Sequence, residues 1–192
     1  MKVIVGFSAV LTVAGGLFGG VAEAGNAATE KPIKRFVNAV RYNKDALALK
    51  QVDGDAQGRV LLGDAWAKGS KAQQQEFIKL FHRIFSASAF PRLRDNLSKI
   101  ETIVYADPKK DGRDATVTST LVLLHPLKKE EIKVHYLLTQ SKKGYRLVDV
   151  TFEGDRSLLT NVREDQIKPL FAEGGWSHVL EMMRARVKQL DG

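Results

Sequence analysis

Cysteine is absent from this 192-residue chain, and that absence excludes several kinds of chemistry at once. Without cysteine the chain forms no disulfide, has no thiolate nucleophile and offers no Cys-ligated metal site. It also has no cysteine to which a lipid anchor can be attached near the N-terminus. The folded domain must therefore be held together by its hydrophobic core alone.

Long uncharged stretches are also missing, except at the N-terminus. There Lys2 precedes an apolar, uncharged run, Val3 to Val21, and the small residues Ala22 and Ala24 occupy positions −3 and −1 of a cleavage site. A basic start, an apolar run and an A-x-A exit are typical of a secretory signal peptide. Five glycines in the run and the lack of a Lys/Arg stop disfavour the alternative, a membrane anchor. We predict a signal peptide at residues 1–24 and a single exported domain at 25–192.

Catalytic and metal-binding motifs are lacking as well. The sequence contains no G-x-S-x-G, no P-loop and no G-x-G-x-x-G, and none of His82, His125, His135 and His178 has the spacing of a metal pair. We therefore expect no metal and no cofactor, and a hydrolase has no support among these residues. Asp149 leaves one alternative open, since a carboxylate within an apolar strand is either a general base or a paired structural group.

Acidic residues are outnumbered, with 30 Lys+Arg against 22 Asp+Glu. Removal of Lys2 and Glu23 with the signal peptide leaves 29 and 21, so the net charge stays at +8. A basic surface favours anionic partners. For an exported protein we expect no nucleic-acid partner and consider anionic lipid headgroups more natural.

The first and last parts of the domain have helical periodicity. Apolar residues recur at helical spacing from Pro32 to Val40, and again from Phe77 to Phe85, where Ser70 is the expected N-cap. This second helix is expected to be interrupted at Pro91 and to resume through Leu93 and Leu97. Gly54 and Gly58 suggest a loop before a short helix at 59–66. Two further helices are predicted near the C-terminus, at 162–171 and 179–190. The stripe Phe77, Phe81 and Phe85 either packs in the core or lines an apolar cavity.

Between these helices the chain has four β-type segments. They cover 100–106, 115–125, 131–140 and 145–153, and short turn-like segments connect them, which favours an antiparallel meander. The second and third segments are apolar on both alternating sets, so both sheet faces should be partly covered by chain, partner or ligand. The fold class is thus α+β, a curved four-stranded antiparallel sheet packed by helices.

Basic residues concentrate in two of the turns. In a meander the first and third turns lie at the same end of the sheet. This places Lys109, Lys110 and Arg113 beside Lys142 and Lys143. Such a cluster either meets anionic headgroups or an acidic partner, or simply keeps the turns solvated.

Several ordered motifs resemble the MlaC / toluene-tolerance family. They are Arg59–Trp66, Gln75–Phe77, Phe81, Val134–Leu138, Gly144–Val150, Phe152–Gly154, Ser157–Asn161, Arg163 and Gln166. The resemblance covers the chain from Pro32 to the C-terminus. Three departures stand out: Tyr145 where the family has Trp, Gly154-Asp-Arg-Ser157 in place of a Gly-Val-Ser turn, and small residues at 86–89.

The resemblance implies a nuclear-transport-factor-like fold with an apolar cavity and no catalysis. Members are periplasmic phospholipid-binding components of the Mla ABC transport system, which maintains outer-membrane lipid asymmetry. The expected partners are a phospholipid, an inner-membrane Mla-type ABC transporter complex and an outer-membrane lipoprotein complex. Related branches are associated with other lipids such as hopanoids. We expect a periplasmic monomer.

The expected lipid-binding residues lie on the strands and on the helix that carries the phenylalanine stripe. They are Phe81, Phe85, Val104, Val117, Leu121, Val134, Tyr136 and Val148. Two other functions remain open: a small-molecule enzyme of the same fold class that uses Asp149 or a histidine, and a non-catalytic envelope interaction module. The interaction module predicts a filled core without a cavity.

Overall fold

A computed structural model describes the backbone of residues 19–124 and 129–192, and the side chains of 26–123 and 130–192. The signal peptide predicted at 1–24 falls mostly on residues outside the described part, as does His125, and the cleavage after Ala24 stays a prediction. Across the described residues, no helix is both long and apolar enough to cross a membrane.

Helices precede and follow the sheet. The helices are α1 (Gly19–Arg41), α2 (Asp45–Leu49), α3 (Gly54–Leu62), α4 (Asp64–Lys68), α5 (Lys71–Leu97), α6 (Leu158–Val162) and α7 (Lys168–Asp191), with a π-helical turn, Arg163–Ile167, between the last two. The strands are β1 (Ile100–Tyr105), β2 (Lys109–Asp111), β3 (Asp114–Leu124), β4 (Lys129–Ser141) and β5 (Gly144–Phe152). The predicted α+β class is confirmed.

All strand pairs in the sheet are antiparallel. The order is β1-β3-β4-β5, with the short β2 also pairing with β3. The predicted meander is therefore correct, and its first turn contains a fifth strand that the sequence pattern did not reveal. At the β5 edge, Val52 forms a parallel bridge to Leu147, and the Leu147 backbone exchanges hydrogen bonds with Gln51 and Asp53.

Helix α5 begins as predicted and reaches Leu97 without the predicted interruption. The Ser70 hydroxyl accepts a hydrogen bond from the Gln73 N–H, and the Gln73 side chain accepts one from the Ser70 N–H, which forms a capping box. The helix continues through Pro91 to Leu97, so the predicted interruption is wrong. Proline removes one backbone donor, but the segment beyond it is held by Arg94, whose guanidinium contacts Asp45 at 2.6 and 2.7 Å.

The segment around Gly58 is helical and not a loop. Asp53 caps α3, with its carboxylate accepting from the Ala56 N–H at 2.8 Å. A Cβ at Gly58 would lie 2.4 Å from the Trp66 ring, so the glycine is required by the close approach of this ring to α3. The structure therefore explains Gly58 by packing and not by a turn.

Two groups of buried apolar side chains form the core. The first lies between α1, the second half of α5 and the inner sheet face, and includes Ile33, Phe90 and Val117. The second joins α3, α5 and α7 through residues such as Phe77 and Val179. Phe85 packs against both groups. The junction between them is where the candidate site lies.

Candidate functional site

A cavity of about 180 Å³ lies between the inner face of the sheet and helices α1, α3, α5 and α6. Its wall is almost entirely apolar: α1 contributes Phe36 and Val37, and α5 contributes Phe85, Leu93 and Leu97. Other depressions, such as one along the outer side of α1, are open and have charged walls. An apolar, partly enclosed space with few polar groups is the usual form of a binding site for a hydrophobic ligand.

Five of the eight predicted lipid-binding residues line this cavity. They are Phe85, Leu121, Val134, Tyr136 and Val148. Phe81 and Val117 are buried but belong to the packed core, where Phe81 stacks between Phe77 and Phe85. The phenylalanine stripe thus has both roles that the sequence left open, with core packing at its start and cavity wall at its end.

Val104 was placed on the wrong face of the sheet. It pairs with Thr120 on the outer face, and 56% of its surface is exposed. The register between β1 and β3 shifts between Ile100 and Thr102. This irregularity turns Ile100, Ile103 and Tyr105 toward the interior, where they pack against the core, and leaves Val104 outside.

A bulge in β5 shapes one wall. Leu138 pairs with Leu147 and Leu137 pairs with Asp149, so Val148 is the extra residue. Its carbonyl oxygen accepts a hydrogen bond from the Gln57 amide at 2.9 Å. The alternation of strand residues does not predict such a bulge. The bulge brings three consecutive residues, Leu147, Val148 and Asp149, to the same cavity.

Gln57 and His82 form a polar link between α3, α5 and β5. Because the Gln57 amide nitrogen donates to Val148, its oxygen is the acceptor at 2.9 Å from His82 Nε2. His82 must then carry its proton on Nε2. Burial lowers the pKa of His82 from its ordinary value, so the imidazole is neutral near pH 7.

Asp149 is buried and has a structural use. Its Oδ1 accepts hydrogen bonds from the Val150 N–H at 2.8 Å and the Leu159 N–H at 3.0 Å. The second bond ties β5 to the first turn of α6, which supplies Leu158 and Leu159 to the cavity wall. Of the two roles left open by the sequence, the geometry favours the structural one.

Tyr136 is, with Asp149, a polar residue of the sheet that lines the cavity. Its phenol oxygen accepts from the Ser119 hydroxyl at 3.2 Å, and burial raises the pKa of the Tyr136 phenol. The group stays protonated and neutral under physiological conditions. Tyr136 therefore adds no charge to the cavity, and Asp149 is the one ionisable carboxyl among the residues described along its wall.

The rim of the cavity is marked by Phe152 and Leu158. Both line the cavity and both reach solvent, with 40% and 36% of their surfaces exposed. They stand at the two ends of the 153–157 segment, which joins β5 to α6. Exposed apolar side chains that continue into an apolar cavity make this side the candidate entrance for a hydrophobic ligand.

Among the described residues, no histidine and no group of metal-binding side chains lies at this cavity. Of the described histidines, His135 contacts Thr118, His178 contacts Glu173, and none lines the cavity. Within the described part of the chain, no group of three His, Cys, Asp or Glu residues could hold a metal ion.

Comparison with known proteins agrees with this geometry. The profile of the MlaC protein family matches residues 26–185. The chain belongs to the MlaC family. The resemblance seen in the sequence motifs is thereby confirmed, and the match extends over the helices, the sheet and most of α7.

A solved structure shares the fold of this MlaC-family protein. It is described as the phospholipid-binding protein from Ralstonia solanacearum in complex with a phospholipid. The two chains are 16% identical, with a TM-score of 0.65 over 88% of this chain and 99% of the other. A search of curated proteins finds no significant match.

Proposed function

We propose that the cavity binds the acyl chains of a phospholipid. The observation that carries the proposal is the apolar cavity between sheet and helices, whose rim residues Phe152 and Leu158 are exposed. Family membership supports it, as does the shared fold of the Ralstonia protein that is described in complex with a phospholipid.

We further propose that the protein carries this lipid through the periplasm between two membrane complexes. These are an outer-membrane lipoprotein complex and an inner-membrane Mla-type ABC transporter complex. Exposing a methylene to water costs about 0.8 kcal/mol, so a 16-carbon chain costs on the order of 12 kcal/mol. A cavity that replaces the bilayer with apolar side chains removes most of this cost, and no catalytic step is needed.

The size of the cavity sets a condition on binding. Its volume of about 180 Å³ is little more than the roughly 150 Å³ cavity that encloses a benzene molecule. A complete acyl chain needs more room. Lipid binding therefore requires the sheet and helical walls to move apart, starting from the rim.

The two alternative functions receive less support. An enzyme would need a reactive group facing the cavity, but the Asp149 oxygen Oδ1 is occupied by two backbone N–H groups. An interaction module predicts a filled core, whereas this core contains a cavity.

A cavity-filling substitution tests the lipid-binding proposal. Ala89 lies on α5 and lines the cavity, so Ala89→Phe should reduce uptake of a fluorescent phosphatidylethanolamine from vesicles severalfold. Ala72→Phe, on the exposed first turn of α5, is the matched control and should bind normally. Equal uptake by both variants would place the lipid elsewhere.

The carrier role needs separate measurements. Mass spectrometry of the protein from a periplasmic fraction should show a chain that begins at Gly25. The same material should co-purify with the transporter complex of its own organism. A chain retained in the cytoplasm with residues 1–24 intact would contradict the periplasmic role and leave the lipid-binding proposal untouched.

A further inference from the structure

Five basic side chains lie together at one end of the sheet. Lys109, Lys110 and Arg113 belong to the connection between β1 and β3, and Lys142 and Lys143 belong to the turn between β4 and β5. We call these five residues the basic end. The four lysines and Arg113 are all exposed.

The register of the strands brings the two turns side by side. Asp114 pairs with Thr139 at the start of β3. One step further, the Gln140 N–H donates to the Arg113 carbonyl at 2.8 Å, and the Arg113 guanidinium donates to the Gln140 carbonyl at 2.8 Å. Ser141 then begins the turn that carries the two lysines. The grouping expected from an antiparallel meander is thus present.

Positive charge exceeds negative charge at this end. None of the five cations forms an ion pair with any residue in the described ranges 26–123 and 130–192. The carboxylates nearby in the chain are Asp107, Asp111 and Asp114, and Asp107 accepts a hydrogen bond from Asn26 at 2.7 Å. The two connections therefore carry five cations and three carboxylates, and the depression beside Arg113 adds one of each sign, Asp53 and Arg59.

The shape of the basic end favours a diffuse anionic surface over a protein partner. Gly112 and Gly144 form the turns with positive φ, and a Cβ at either would meet no atom within 4 Å, so both turns project into open space. Protein interfaces have a core of aromatic and apolar side chains and are depleted in lysine. Neither turn carries an exposed aromatic or large apolar residue. Separate lysines suit an anionic membrane surface, which attracts each of them independently.

We infer that the basic end binds an anionic lipid surface, and that this contact is separate from the lipid-binding cavity. Strand β5 runs from Gly144 at the basic end to Phe152 at the rim. At about 3.3 Å per residue, the eight steps from Gly144 to Phe152 separate the two ends by roughly 26 Å. A molecule held by its basic end therefore keeps the cavity rim away from that surface and free for a partner.

Vesicle sedimentation with the full exported domain tests this inference. The probes are vesicles of phosphatidylcholine alone and vesicles of equal parts phosphatidylcholine and phosphatidylglycerol. The test variant is K109Q/K110Q/K142Q/K143Q. The matched control, K31Q/K50Q/K71Q/K188Q, removes the same charge from exposed lysines on other parts of the described surface.

Wild-type protein and the control should bind the anionic vesicles, and the affinity should fall as salt rises toward about 0.15 M. The test variant should bind them at least roughly tenfold more weakly. Its uptake of fluorescent phosphatidylethanolamine into the cavity should be unchanged. This inference rests on the proposed function, but a failure of vesicle binding by the basic end can be told apart from a failure of lipid binding in the cavity.

Three results would overturn the inference. Equal loss in the test and control variants would mean that net charge alone attracts the vesicles. Equal binding of wild-type protein to both kinds of vesicle would exclude a role for anionic headgroups. Loss of co-purification with an acidic envelope protein in the test variant alone, without any wild-type vesicle binding, would make the basic end a protein-docking surface.

Discussion

At the scale of single residues, Phe152 provides the sharpest test of the rim. Phe152→Ser should slow phospholipid uptake from vesicles, because the first methylenes to leave the bilayer lose an apolar contact. Val104→Ser is a matched control, since Val104 is also an exposed apolar strand residue but lies on the outer face of the sheet. Both variants should keep the wild-type melting temperature within a few degrees. Slowed uptake in Val104→Ser alone would contradict the assignment of the rim.

His82 gives a prediction about pH. Burial lowers the pKa of His82 in the folded protein, so the unfolded chain takes up its proton at a higher pH, near 6.5. When the pH falls below about 6.5, the unfolded state binds more protons and the free energy of unfolding decreases until the folded-state pKa is passed.

Urea unfolding at pH values above and below about 6.5 measures this change in the free energy of unfolding. Wild-type protein should lose stability toward acid, and His82→Gln, whose amide does not titrate, should lose less. Parallel pH profiles for the two proteins would show that His82 contributes nothing to the acid sensitivity.

The sequence predicted which types of residue form the site more reliably than it predicted which face of the sheet each side chain lies on. The apolar strands supplied Leu121, Val134 and Tyr136, which line the cavity, although these strands are apolar on both alternating sets and the sequence did not show which set faces inward. Val104 was misplaced because an irregularity next to Ile100 changes which residues face inward, and strand alternation gives no warning of it. Phe36 and Val37 belong to a predicted amphipathic helix face but were not recognised as part of the cavity wall.

At the scale of secondary-structure elements, Asp149 fixes α6 against the sheet. Asp149→Ala removes the acceptor of the Leu159 N–H and should lower the free energy of unfolding by about 1–3 kcal/mol. Asp149→Asn keeps an acceptor oxygen and should lose less. Because Leu158 and Leu159 line the cavity, Asp149→Ala should also release bound phospholipid faster.

Ser70→Ala separates this effect from general destabilisation. It removes the N-cap of α5, at a cost of about 0.5–2 kcal/mol, at a residue that does not line the cavity. Stopped-flow release of a fluorescent phospholipid should be faster for Asp149→Ala and unchanged for Ser70→Ala. Equal acceleration in both would reduce Asp149 to an ordinary contributor to stability.

Element boundaries show where sequence patterns stop being informative. Periodicity predicted the start of α5 and the four main strands, because local spacing decides them. It predicted an interruption at Pro91, whereas the helix is continuous there and Arg94 beyond it reaches Asp45 across the fold. Periodicity also missed the helical start of α3, where the absence of a side chain at Gly58 leaves room for the Trp66 ring. The π-helical turn before α7 has no signal in the pattern.

At the scale of the whole molecule, two functional ends are separated along the sheet. The rim at Phe152 and Leu158 leads into the cavity, and the basic end lies at the opposite end of β5. The α+β class and the antiparallel sheet followed from the order of helical and strand patterns. The cavity was implied by the family resemblance and suggested by strands that are apolar on both faces. Its volume could not be predicted, because it depends on the distance between the helices and the sheet.

The central claim is that the cavity holds phospholipid, and native mass spectrometry of the purified protein tests it most directly. We predict a complex whose added mass corresponds to a phospholipid, identified by extraction, with the added mass reduced or lost in Ala89→Phe. Protein that is consistently free of lipid, and that takes up none from vesicles, would contradict the account.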